Sequence, residues 1–266
     1  MIDVFLLDDS PVCVSGYRGY IGSKFISQRP GRVVNLSNVP AGTTLLHLAA
    51  RADLGADSVS TLSANIILDA NVIETVAKNG LKLVYSSTNN VYPLKLNCKV
   101  GDEARPDGGY SLSKFIGESM CAGLESREYT VIRIADVFGA GQRHGNFFRA
   151  IENSLKNGTV FNLSSKSFKV RSYIYIDELC NILDFIVGDF EHQGEIYNLC
   201  HKTPMSLSKL AENIYIRDFK RLLNGDEVKA DLFDVRTMCQ SKVSGYSYRF
   251  DMEEALEHYV CSIKED

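Results

Sequence analysis

Hydrophobic residues fall into short apolar runs separated by amphipathic stretches. The run VCVS at 12–15 reads as a strand, enters a turn with glycines at 16, 19 and 22, and continues into the helix-compatible SKFISQ, which stops before Pro30. RVVNLS (32–37) and TTLLHLAA (43–50) predict two further strands. Residues 64–80 place Ile66, Ile67, Ala70, Ile73, Val76 and Ala77 on one face of a helix that Gly80 closes. LKLVYSS (81–87) predicts a buried strand, 113–124 a helix, YTVIRIA (129–135) a strand and 147–156 a helix. The pattern then loosens: 168–176 is strand-like, 177–187 helical, and 195–199 a last buried strand. Alternating strands and helices predict an α/β fold with a doubly wound parallel sheet. We assign residues 1–140 mainly to that sheet, completed by segments around 168–200, and 141–266 mainly to a smaller carboxyl-terminal lobe. The residues before Pro11 have no obvious place in the sheet and are expected at its edge or against a partner.

Composition narrows the partners. The chain has 266 residues, 45% hydrophobic and 23% charged, with a net charge of -4. That balance is globular and offers no basic track for nucleic acid, so the expected partner is small. Seven cysteines contain no CxxC pair and no Cys/His cluster at ligand spacing, which predicts neither a metal site nor a disulfide framework. The start MIDVFLLDDS is acidic, unlike a secretory signal, and no apolar run approaches the roughly 18 residues of a membrane helix. A reducing cytoplasm is the expected setting.

Gly16, Gly19 and Gly22 lie between a strand and a helix, where a glycine turn lets a ligand approach the backbone and points helix N–H groups at a pyrophosphate. A dinucleotide turn also calls for an acid about 20 residues on, at the end of the next strand, to accept the ribose hydroxyl. Residues 33–38 (VVNLSN) contain none. With Arg18 in the turn, that absence favours NADP(H), NAD(H) remaining possible.

Tyr110 and Lys114 in YSLSK stand one helical turn apart, the arrangement in which an ammonium can depress a phenol and the phenol can exchange a proton with a sugar oxygen. Ser86, Ser87 and Thr88 end a buried strand, where parallel sheets place ligands. Together with GYRGYIGS (16–23), LLHLAAR (45–51), Asn65, LVYSSTNNVYP (83–93), VIRIADVFGAGQ (131–142) and VRSYIYIDEL (170–179), in that order, these segments resemble the extended short-chain dehydrogenase/reductases, the NAD-dependent epimerase/dehydratase family. The resemblance implies a Rossmann-type domain, a nicotinamide cofactor and a nucleotide-sugar substrate. It implies Tyr110 as acid/base, Lys114 as the group that binds the nicotinamide ribose and lowers the Tyr110 pKa, and Thr88 as partner of the reacting oxygen. Gly16, Arg18, Gly19, Tyr20, Ile21, Gly22, Leu48, Ala49, Ala50, Ser86 and Lys114 would hold the cofactor. Asn89, Asp136, Asn146 and Arg171 would hold the substrate, Arg171 through its diphosphate. A homodimer is a further implication.

Three departures bear on the reaction. Family dehydratases follow the Thr with Asp-Glu, whereas this chain has Asn89 and Asn90, which exchange no proton near neutrality. Dehydration is therefore disfavoured. Reduction of a 4-keto nucleotide sugar is preferred, with 4-epimerisation and a non-catalytic nucleotide-binding protein as alternatives. Only 31 residues separate Gly16 from His47, so part of the wall on the adenosine side is expected to be abbreviated. Asp136 stands where the family has Asn.

Overall fold

The computed structural model describes residues 2–52, 58–124, 128–142, 147–159, 161–162, 169–188, 194–217, 223–224 and 235–265. Seven strands form the main sheet: β1 (Asp3–Leu7), β2 (Val12–Ser15), β3 (Gly31–Asn35), β4 (Thr44–His47), β5 (Lys82–Thr88), β6 (Tyr129–Ile134) and β11 (Ile196–Leu199). Their order is β11-β6-β5-β4-β2-β1-β3, and every strand is parallel except β1. This is a Rossmann-type α/β sheet.

Alternation along the strands sends side chains to two faces. Val12, Val14, Leu46, Val84 and Ile132 pack against helices α1 (Tyr20–Ile26) and α5 (Ile176–Gly188). Cys13, Leu45, Leu83, Tyr85 and Val131 pack against α2 (Ser58–Asn79) and α3 (Gly109–Ala122). A third core joins Phe138 of β7 (Asp136–Phe138) and Tyr173 and Tyr175 of β10 (Tyr173–Tyr175) to α4 (Phe147–Asn157), α6 (Leu207–Arg217) and α7 (Met252–Glu265). Short strands form two further small sheets, β9 (Val170–Arg171) between β12 (Met205–Ser206) and β14 (Val235–Arg236), and β8 (Phe161–Asn162) beside β13 (Leu223–Asn224).

The amino-terminal segment is not an edge. β1 lies between β2 and β3, antiparallel to both, with Phe5 opposite Val14 and Val33. Val4 is fully buried in the same core as α2. The abbreviation expected before His47 is a missing crossover helix: from β3 the chain reaches β4 through one 3₁₀ turn, Leu36–Asn38, with Leu36 and Val39 buried against α2.

Both helices on that face begin earlier than their periodicity predicts, α2 at Ser58 and α3 at Gly109. The buried face of α2 also differs from the apolar one. Ile67 is 63% exposed and Ala70 and Ala77 are exposed, whereas Thr61, Asn65 and Asp69 are buried beside Val72, Ile73 and Val76.

An interior β1 predicts that Val4→Asp, which buries an unpaired charge, costs about 3 kcal/mol or more in urea unfolding. A loss within about 0.5 kcal/mol, as at a surface position, would contradict that placement.

Candidate active site

Two glycines of the turn are demanded by the protein itself. Gly16 has φ +69°, and a Cβ there would lie 2.6 Å from the Ala49 nitrogen; at Gly22 it would lie 2.3 Å from the Gly16 carbonyl oxygen. A Cβ at Gly19 would meet only that carbonyl, at 3.1 Å, which leaves its outer side open. Leu48, Ala49 and Ala50 follow β4 directly opposite, the Leu48 N–H donating to the Ser15 carbonyl at 3.2 Å. Arg18 is exposed and lies over the Tyr17 ring, 5.3 Å from its centroid. Tyr20 and Ile21 pack into the third core, the Tyr20 phenol reaching Gly139. With only seven residues, α1 adds a small dipole, so any anion here relies chiefly on the turn's own backbone.

The strand beside β2 is β1 rather than β3. Since Phe5 pairs with Val14 in an antiparallel register, Asp3, two residues nearer the amino terminus, falls level with the glycine turn, and it is exposed. The missing acid at the end of β3 therefore says little about the ribose, and of the two grounds for preferring NADP(H) only Arg18 remains.

Beneath the turn runs a buried polar chain. The Ser15 hydroxyl and His47 Nδ1 are 2.6 Å apart, and His47 Nε2 is 3.0 Å from Asp69 Oδ1. A carboxylate only accepts, so His47 Nε2–H donates to Asp69 and Nδ1 accepts from Ser15. The Tyr85 hydroxyl donates to Asp69 Oδ2 at 2.5 Å. Lys114, 1% exposed, places its ammonium 3.9 Å from the same oxygen and 4.2 Å from the Tyr85 ring centroid. The Ser86 hydroxyl donates to the His47 carbonyl. Burial holds the His47 imidazole below its ordinary value, with Lys114 adding to the effect and Asp69 opposing it.

Asn65 fastens these parts to α3. Its amide donates to the Arg51 carbonyl and to the Ser113 hydroxyl, which donates to the Tyr110 carbonyl. Tyr110 is half-buried in the first turn of α3. Burial pushes its phenol up to about 12, and the Asp69 carboxylate adds to the push. In the ligand-free chain the phenol therefore stands above its ordinary value.

Tyr110 lines a cavity of about 380 Å³ together with Asn90, Asp107, Asp136, Arg171 and Arg236. Thr88, the last residue of β5, caps the turn beneath it by accepting from the Asn90 N–H at 3.2 Å. The Asn89 amide donates to Asp136 at 3.5 Å. Burial raises the Asp136 carboxyl, while Arg171, Asn89 and Arg236 lower it. Arg236 carries no motif that would mark it in the sequence. It is 6% exposed, donates to Asn90 Oδ1 at 2.7 Å, pairs with Asp107, and its Nε, turned inward, has no hydrogen-bond partner among the described residues. Its only sequence signal is an arginine beside valine in an aperiodic tail. Asn146 lies outside the described residues. Among those described, no group of three or more His, Cys, Asp or Glu could hold a metal ion, and no helix is long and apolar enough to cross a membrane.

A neutral, buried His47 predicts a stability slope. Its folded pKa is depressed, so the unfolded chain takes up the proton first, and stability falls as pH drops below the ordinary imidazole range near about 6.5. Urea unfolding across that range should show the slope, and His47→Gln should lose part of it; an identical slope in the variant would refute a neutral His47.

The fold superposes on the UDP-N-acetylglucosamine 4-epimerase from Bacillus cereus with a TM-score of 0.79 at 19% identity, over 94% of this chain and 98% of that one. The corresponding epimerase from Methanobrevibacter ruminantium M1, solved with UDP-N-acetylmuramic acid, gives 0.77 at 18%, over 96% and 98%. The dTDP-glucose 4,6-dehydratase from Bacillus anthracis str. Ames, solved with NAD, gives 0.76 at 16%, over 96% of each chain. At such identities the likeness concerns the fold. No protein of curated function matches by sequence. The model of the NAD dependent epimerase/dehydratase family matches residues 35–200, beginning after the glycine turn.

Proposed function

The chain belongs to the NAD-dependent epimerase/dehydratase family, and from that premise we propose that it holds an NAD(P) dinucleotide at the glycine turn and reduces a 4-keto nucleotide sugar in the Tyr110 cavity. The observation that carries the reading is the cavity itself, which combines a phenol with Arg171 and Arg236 and has an amide at Asn90, while the Asn89 amide holds Asp136 of its lining. Two guanidinium groups suit a diphosphate, which accepts hydrogen bonds from a planar fork.

The residues fit the cofactor. Gly19 leaves its outer side open, and the Lys114 ammonium is buried with no hydrogen-bond partner among the described residues, three donors to offer a ribose. When bound, the dinucleotide supplies or accepts the hydride. Tyr110 would give its proton to the carbonyl oxygen as the alcohol forms, with Thr88 orienting that oxygen. A phenol held above its ordinary value stays protonated at neutral pH, the state a proton donor needs. Asn89 and Asn90 supply no acid/base pair, which argues against loss of water. We assign the carboxyl-terminal lobe, with Asp136, Arg171 and Arg236 at its border, to the substrate. A homodimer through α2 and α3 belongs to the same proposal, supported by exposed Val59, Ile67 and Leu112 on those helices.

Incubation with NADH or NADPH and a panel of nucleotide 4-keto-6-deoxysugars should consume the reduced nicotinamide. Tyr110→Phe should lose about 100-fold or more of the rate while still binding cofactor. A fully active variant would remove Tyr110 from the chemistry, and interconversion of hexose epimers without net cofactor consumption would replace reduction by epimerisation.

A further inference from the structure

Lys114 is a cation in an unusual position: 1% exposed, without a hydrogen bond among the described residues, and held by a cation–π contact and a carboxylate that belongs to another helix. We propose that Asp69 is a positioning residue that keeps Lys114 protonated at neutral pH and holds its ammonium between α2 and α3, where its donors await an acceptor brought by the ligand. The inference deepens the proposed site and rests on that reading only for the use made of the charge.

An isolated buried ammonium sheds its proton because desolvation penalises the charged form. Asp69 supplies the missing counter-charge, and its own ionised form is secured by the Tyr85 hydroxyl at 2.5 Å and the His47 N–H at 3.0 Å. The space for this arrangement comes from Gly117, one turn along α3 from Lys114. A Cβ there would lie 1.9 Å from the Tyr85 hydroxyl and 2.8 Å from Asp69 Oδ2. A glycine inside a helix costs about 1 kcal/mol relative to alanine, so the close approach of α3 to this pair is maintained against helix propensity.

The charged and titratable neighbours leave Asp69 as the main partner. Burial lowers the Lys114 amine, Asp69 opposes that most strongly, and Cys121 and Glu118 of α3 oppose it less. Glu118 is itself engaged by Arg133 of β6 at 2.7 Å and by the Ser87 hydroxyl. Burial pushes the Cys121 thiol well up, so it stays neutral. His47 of β4 is neutral, and Tyr85 of β5 and Tyr110 of α3 are held above their ordinary values.

The test reads the charge of Lys114 in the ligand-free full chain, by NMR titration with lysine labelled at Cε and the signal assigned through Lys114→Met. In the wild type Lys114 should be charged at neutral pH. In Asp69→Asn, or the smaller Asp69→Thr should the first not fold, its proton affinity should fall tenfold or more. A wild-type Lys114 that is neutral at neutral pH, or a midpoint unmoved by either neutral replacement, would overturn the proposal. Both readouts stand without turnover, so a protein that reduces no sugar would still reveal whether Asp69 holds the charge on Lys114. Where turnover is found, the neutral variants should lose rate first on the alkaline side, whereas a merely structural role would lower the rate equally at every pH.

Discussion

A single carboxylate, Asp69, buried on the inner face of α2, constrains everything around it. A charge in that position is tolerable only if each oxygen finds a donor and a cation stands close by. β4 provides His47, β5 provides Tyr85, and α3 provides Lys114. His47 in turn holds Ser15, the last residue of β2 before the glycine turn. One buried group thus fixes three neighbouring strands and two helices relative to one another, at the end of the sheet where Gly16 meets Ala49 and Tyr110 meets the cavity.

The same group shows what a linear pattern can and cannot reveal. Alternation of apolar runs and amphipathic stretches locates the strands of the parallel sheet and the helices between them, because each element's own burial imposes its period. Tyr110, Lys114, Thr88 and the glycines are legible as short motifs. Asp69 is not, because the periodicity of α2 is carried by its apolar residues, and Ile67 and Ala70 prove to face outward while Asn65 and Asp69 face in. Polar residues turn inward here because their partners, His47, Ser113 and Tyr85, wait 16 to 48 positions away, a distance no periodicity reports. Arg236 is hidden for the same reason, its partner Asn90 lying 146 residues earlier.

The start of the chain departs furthest from expectation. Residues 3–7 occupy the sheet position beside β2, and the strand that follows α1 is displaced to the edge. Between that edge strand and β4 the chain makes a single 3₁₀ turn, and Leu36 and Val39 are buried in the same core as Val72, Ile73 and Val76 of α2. The close contacts of the glycine turn are with Leu48 and Ala49, which follow β4, and with its own backbone, not with β3.

Central to the proposed function is that the glycine turn holds a dinucleotide. Calorimetric titration with NAD(H) and NADP(H) tests it most directly. The wild type should bind at least one of the two, and Gly22→Val, whose side chain would press on the Gly16 carbonyl, should bind neither. A wild type that binds neither dinucleotide, or a Gly22→Val variant that binds as tightly as the wild type, would contradict it.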